Sequence, residues 1–124
     1  MEFISVYKCL CDAQRLRILN LLRAGPLCVC HLMEILETDQ VKMSKQLRYM
    51  KELGMVTVER RAQWRIYRLA EEENPLLREN LQCLQDCYGD RLCFAQDLRK
   101  RAAIEGRLRE ENASCATALA SEDT

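Results

Sequence analysis

The sequence is poor in histidine, aromatic residues, glycine and proline, and it carries no net charge. His31 is the only histidine in 124 residues, so a metal centre built on several imidazoles cannot form within one chain. Aromatic residues make up 6% of the chain, which leaves the core to Leu, Ile, Val and Met. No apolar run approaches the roughly 18 residues of a membrane-spanning helix. Met1 to Lys8 lack the basic and then apolar pattern of a secretory signal, so a cytoplasmic location is expected. There is no Gly-rich phosphate loop and no internal repeat. There is also no Cys-x-x-Cys beside a βαβ rhythm, which argues against a thiol oxidoreductase or any other enzyme. A chain of this length builds one small core.

Cysteine is the residue in excess, with eight copies. In a reducing compartment these are thiols open to soft ions or redox chemistry, and not a disulfide framework. Charge is uneven although it sums to zero. Between Lys42 and Arg68 the basic residues are Lys42, Lys45, Arg48, Lys51, Arg60, Arg61, Arg65 and Arg68, against Glu52 and Glu59 alone. Between Leu69 and Asp90 only Arg78 faces six acidic residues. A basic block beside an acidic one marks a charged face on a particular element.

Periodicity supplies the elements. Phe3, Tyr7 and Leu10 recur at helical spacing, giving a first helix over residues 2–11. Asp12 caps a second helix carrying Leu16, Leu19 and Leu22, which Gly25 and Pro26 stop. A third helix runs from about Cys28 to Leu36, with Val29, Leu32, Ile35 and Leu36 inward. Thr38 or Asp39 caps a fourth, which runs to about Leu53 before Gly54. The period then changes to two over Val56–Glu59 and again over Trp64–Tyr67, which is a β-hairpin. Asn74-Pro75 opens a fifth helix with the stripe Leu77, Leu81, Leu84 and Tyr88. Two short helices followed by a hairpin predict a mainly α fold with a small β-hairpin, a winged helix-turn-helix. Residues 1–89 form that domain. Residues 90–124 are a charged helical extension to about Glu111 and a small, acidic tail expected to be disordered.

The fourth helix tests this reading. Met43, Leu47 and Met50 fall on one face and dock on the third helix. The opposite face presents Val41, Ser44, Lys45 and Arg48, flanked by Gln40, Lys42 and Tyr49. Cations and Ser suit phosphates and guanine edges, and an exposed Val suits a thymine methyl. Arg60, Arg61 and Arg65 at the hairpin would reach the neighbouring backbone. A double-stranded operator DNA is the expected partner.

These segments resemble a known family. Lys8 to Leu19, with Cys9, Cys11, Asp12 and Arg15 in it, is similar to the start of the second helix in the ArsR/SmtB family of metal-responsive repressors. Leu27-Cys28-Val29-Cys30-His31-Leu32 resembles its arsenic-binding motif, and Gln40 to Leu47 its recognition helix. Gly54-Met55-Val56 and Trp64 to Leu69 resemble its wing. The likeness spans residues 5–88. It implies a homodimer joined through the first and fifth helices, bound to a palindromic operator until an inducer arrives. A trivalent arsenical (arsenite or methylarsenite) or antimonite is the inducer implied, with no constitutive cofactor.

Cys28 and Cys30 are the candidate sensor. They sit at the start of the third helix, where the macrodipole favours an anion and a thiolate prefers a soft ion. On a regular helix, residues two apart diverge by about 200°. Ligation is therefore expected to distort the helix and release the DNA reader. The family's arsenic motif has a third cysteine where this chain has Met33, so a further ligand must come from elsewhere. Cys9 and Cys11, or Cys83 and Cys87 at i, i+4 on one helix face, are the candidates. Cys93 lies near the second pair, and Cys115 is assigned no role. A methylated arsenical with two exchangeable positions suits two sulfurs alone. An oxidation or persulfide switch, or a cadmium or lead site using Cys9, Cys11, Cys28 and Cys30, are the alternatives. His31 is expected on the surface.

Overall fold

The computed structural model describes residues 2–70 and 74–111. The tail from 112 onward, with Cys115, and the acidic triplet 71–73 lie outside the described residues. The elements are α1 (Glu2–Leu10), α2 (Ala13–Arg23), β1 (Leu27–Cys28), α3 (Val29–Leu36), α4 (Gln40–Glu52), β2 (Val56–Arg61), β3 (Trp64–Leu69), α5 (Pro75–Tyr88) and α6 (Leu92–Glu111).

Local chemistry sets most of these boundaries. The Asp12 carboxylate accepts from the Arg15 amide at 3.0 Å and starts α2. Asp39 does the same for α4 through the Lys42 amide at 2.8 Å, and the Asn74 side chain caps α5. Each cap satisfies an amide that the first helical turn leaves without a partner.

The core collects the inward faces. Ile18, Leu19 and Leu21 of α2 meet Leu32 and Ile35 of α3. Met43, Leu47 and Met50 of α4, Leu77 and Leu81 of α5, and Ile104 and Leu108 of α6 complete it. The predicted docking stripe of α4 is thus buried. In α1 the inward residues are Val6 and Cys9, which leaves Phe3, Ile4 and Tyr7 exposed, with Tyr88 of α5 exposed too. Apolar side chains kept on a surface in this way fit a protein partner.

The sheet holds one strand more than the hairpin. Its order is β1-β3-β2, antiparallel throughout, with Leu27 opposite Tyr67 and Cys28 opposite Ile66. Cys28 therefore does not belong to the third helix, as the sequence reading has it. Its backbone is extended (φ −72°, ψ 146°) and it stands immediately before α3, which begins at Val29. The hairpin closes through Ala62 and Gln63 between the paired Arg61 and Trp64. Ala62 takes the left-handed φ of 54° that glycine normally supplies at such a turn.

α6 is fastened across α2 and α3. Asp97, 1% exposed, accepts from Arg17 Nε and Nη2 at 2.9 and 2.8 Å. The pairing holds the Arg17 guanidinium charged, its pKa raised first by the Asp97 hydrogen bond. Arg101 donates to the carbonyls of Leu21 (2.9 Å) and Gly25 (3.1 Å), capping the C-terminal end of α2. Gly25 has φ +136°, and a Cβ there would lie 3.0 Å from the Arg101 guanidinium. Arg107 reaches both oxygens of Glu34 on α3. No helix among the described residues is long and apolar enough to cross a membrane.

Candidate functional site

A groove of about 550 Å³ runs between α4 and the wing. Gln40, Val41, Ser44, Lys45, Arg48 and Lys51 line one wall, and Arg65 and Tyr67 of β3 line the other. Val29, the first residue of α3, lies at its floor. Val41 is 65% exposed, so an apolar group is presented to solvent on an otherwise polar face. Lys45, Arg48 and Arg65 make no ion pair among the described residues. A concave surface lined by uncompensated cations is built to receive a polyanion.

The candidate residues divide around this groove. Six of those named from the sequence line it: Gln40, Val41, Ser44, Lys45, Arg48 and Arg65. Arg60 and Arg61 stand at the wing tip, where Arg61 pairs with Glu59 at 3.0 Å. Lys42 and Tyr49 are exposed beside the groove rather than in its lining. The Tyr49 ring instead carries the Arg15 guanidinium, 4.9 Å from its centroid.

Sequence reasoning missed Lys51, Tyr67 and Val29. Lys51 continues the stripe Ser44–Arg48 at helical spacing and was legible on that ground. Gln46 was missed too. Its amide donates to Asp12 (3.1 Å) and Gln14 (3.2 Å) and accepts from Arg15 (3.1 Å), tying the reading helix to α2. The same contacts act on Asp12, whose pKa is lowered first by the Arg15 amide and also by Gln46.

Val29, which lines the groove, stands between two cysteines in the chain. The Cys30 thiol donates to the Cys28 sulfur at 3.0 Å. The expectation that the two sulfurs diverge is therefore corrected: Cys28 is on a strand and Cys30 in the first turn of α3, so the side chains converge without bending the helix. A soft ion with bonds of about 2.3 Å to each sulfur spans such a gap at an angle of roughly 80°. Cys28 is buried and Cys30 exposed, so the pair has one enclosed and one open side. His31 is buried as well, correcting its expected place on the surface, and desolvation pushes its pKa down.

The other cysteines are dispersed. Cys9 is fully buried, and desolvation raises its thiol to about 11 against the opposing pull of Arg15. Cys11, Cys83, Cys87 and Cys93 are exposed. No described cysteine is in a disulfide. Among the described residues no three His, Cys, Asp or Glu side chains gather to hold a metal ion.

Comparison with known proteins agrees with this geometry. The profile of bacterial regulatory proteins of the arsR family matches residues 12–58, from the α2 cap to the wing. The arsenical resistance operon repressor of Bacillus subtilis is 38% identical over 94 residues, covering 74% of this chain and 90% of the relative. The chain belongs to the ArsR family. Among solved structures, HlyU from Vibrio cholerae superposes with a TM-score of 0.65 at 26% identity, over 70% of this chain and 91% of its own. A homodimeric winged helix-turn-helix DNA-binding domain from Mycobacterium bovis gives 0.61 at 28% identity, over 68% and 79%. The Bacillus subtilis relative is an operon repressor and the Mycobacterium bovis domain a possible ArsR-family transcriptional regulator, neither of them an enzyme, and the two solved structures share the mostly helical winged architecture of this chain.

Proposed function

We infer that this ArsR-family protein is a cytoplasmic repressor that grips operator DNA as a homodimer and lets go when a trivalent arsenical bridges Cys28 and Cys30. One observation carries the reading: the two sulfurs, 3.0 Å apart, flank Val29, and Val29 lies at the floor of the basic groove. Cys28 is paired through β1 with Ile66 of the wing strand, while Cys30 lies in the first turn of the helix that supports α4. A ligand joining the sulfurs therefore fixes strand to helix at the residue where wing and reading helix meet. DNA binding needs those two walls at one spacing, and ligation selects another. A ligand shifts such an equilibrium only by its preference for one arrangement, and a chelate of both sulfurs has that preference.

The DNA side follows from the groove. Lys45, Arg48, Lys51 and Arg65 contact phosphates or guanine edges, Ser44 and Gln40 add hydrogen bonds, and Val41 meets a thymine methyl. Lys42, Tyr49, Arg60 and Arg61 extend the contact at its edges. The exposed apolar residues of α1 and Tyr88 of α5 form the homodimer contact. Arsenite, methylarsenite or antimonite is the inducer. Two sulfurs suffice for methylarsenite, and inorganic arsenite completes its third position with Cys11 or water. Cys83 and Cys87 lie on α5, which packs on α1 and α2.

The test is a mobility-shift assay on the protein's own promoter with arsenite, methylarsenite, cadmium or peroxide. Wild type is expected to shift the fragment and to release it with the arsenicals. Cys28→Ser or Cys30→Ser is expected to bind equally well and never release. Normal release from either variant overturns the sensor. The close thiol contact also favours oxidation, so release by peroxide alone would assign the protein to redox sensing instead.

A further inference from the structure

The direction of α6 points its end at the dithiol. Asp97 meets Arg17 early in α2, and Arg101 meets the carbonyls that close α2, so the rest of α6 runs on past α2 towards β1. Against α3 it runs antiparallel. Lys100 donates to the Ile35 carbonyl at 3.4 Å and lies 3.7 Å from Glu37, whereas Arg107, two turns on, reaches back to Glu34. Cys30 stands one turn before Glu34 on the same side of α3, and it is exposed. One more turn of α6 beyond Arg107 ends at Glu111, level with Cys30. Cys115 follows four residues later. Four extended residues reach about 14 Å, more than the roughly 8–10 Å between the axes of packed helices.

We propose that Cys115 is the third sulfur of the Cys28–Cys30 site, delivered by α6 within the same chain, and that it makes the site prefer inorganic arsenite to a monomethylated arsenical. The other thiols of the chain are badly placed for this. Among the described residues no third donor gathers with the pair. Cys11 precedes α2 and the dithiol follows it, and the 11 residues of that helix span about 16 Å. Cys93 sits at the opposite end of α6, about 20 Å from Arg107. Cys83 and Cys87 belong to α5, which packs on α1 and α2.

The reaction is a ligand exchange without redox change. Three As–O bonds of As(OH)3 break and three As–S bonds form. Each thiol proton leaves with a hydroxyl as water, and arsenic stays trivalent. A methylarsenical has two exchangeable oxygens, so Cys28 and Cys30 saturate it and Cys115 adds nothing. The third bond also ties the end of α6 to β1 and α3, joining the back-face helix to the element beneath the groove. The proposal rests on the arsenical reading above and gives Cys115 the position left there to Cys11 or water.

The experiment counts sulfur neighbours by X-ray absorption at the arsenic edge, on the reduced full-length chain loaded with arsenite. Wild type and Cys11→Ser are expected to give three sulfurs, and Cys115→Ser two sulfurs and one oxygen. Operator release is titrated in parallel. Cys115→Ser should need about 100-fold more arsenite for half-release, the gain typical of one tethered contact, and an unchanged dose of methylarsenite. Three sulfurs on Cys115→Ser, two on wild type, or an equal rise in both doses overturns the role of Cys115. Cys30→Ser separates the two readings. If it still releases operator with arsenite, the sensor assignment falls. If it loses release while Cys115→Ser keeps three sulfurs, the sensor stands and Cys115 alone is excluded.

Discussion

Arginines on opposite sides of this molecule have opposite fates. On the back, Arg17, Arg101 and Arg107 are satisfied within the chain, by Asp97, by the carbonyls closing α2, and by Glu34. On the front, Lys45, Arg48 and Arg65 line a groove with no ion pair among the described residues. The residue types are alike, and the difference is whether folding supplies the counter-charge. Back-face cations fix α6 to the domain. Front-face cations have no counter-charge among the described residues, and an external anion would relieve their mutual repulsion.

Exchanging the roles of the two faces gives the strongest tests. Asp97→Ala strands Arg17 against the α2–α6 contact. It should destabilise the protein by about 3 kcal/mol, read by urea denaturation, while operator affinity of the folded fraction is kept. A smaller loss, near that of a surface pair, would mean that α6 is not held by this contact. Arg48→Ala should do the reverse. Operator binding should weaken by about 1–3 kcal/mol with a shallower salt dependence, and the denaturation midpoint should not move. Unchanged binding would remove Arg48 from the DNA face.

Two weaker effects sharpen the same contrast. Asp12→Ala removes a cap and a Gln46 contact and should destabilise by about 1 kcal/mol. Because the folded pKa of Asp12 lies below its ordinary 3.8, its contribution is complete above 3.8 and lost as pH falls through the lowered value. The variant should therefore lose less stability than wild type on acidification through that window, as measured by denaturation at several pH values. Ala62→Gly relieves the left-handed turn of the wing and should stabilise by about 0.5–1 kcal/mol in the same assay. A loss of stability would show that Ala62 makes contacts worth more than the relief.

What could be read from the sequence was what neighbours along the chain decide. Asp12, Asp39 and Asn74 cap helices through amides three residues away, and Met43, Leu47 and Met50 declare their face by spacing. The Cys28–Cys30 pair was visible as a motif, but its geometry was not. The strand that turns Cys28 toward Cys30 exists only because Ile66 and Tyr67 lie alongside it, and two residues have no periodicity to detect. The packing of α6 was hidden for a related reason. Its charges suggest a solvated helix, and the partners of Asp97 and Arg101 stand 80 residues earlier in the chain.

Arg15 has a consequence for assembly. Its guanidinium donates to the carbonyls of Cys9 (2.9 Å) and Lys8 (3.0 Å) where α1 ends, bonds Gln46, and lies over Tyr49. The helix whose outer side carries Phe3, Ile4 and Tyr7 is thereby pinned to the helix that faces the groove. In the dimer proposed above, a second copy settling against that outer side would set the pitch of α4 through one flat cation, so quaternary seating and operator register would turn on a common pivot.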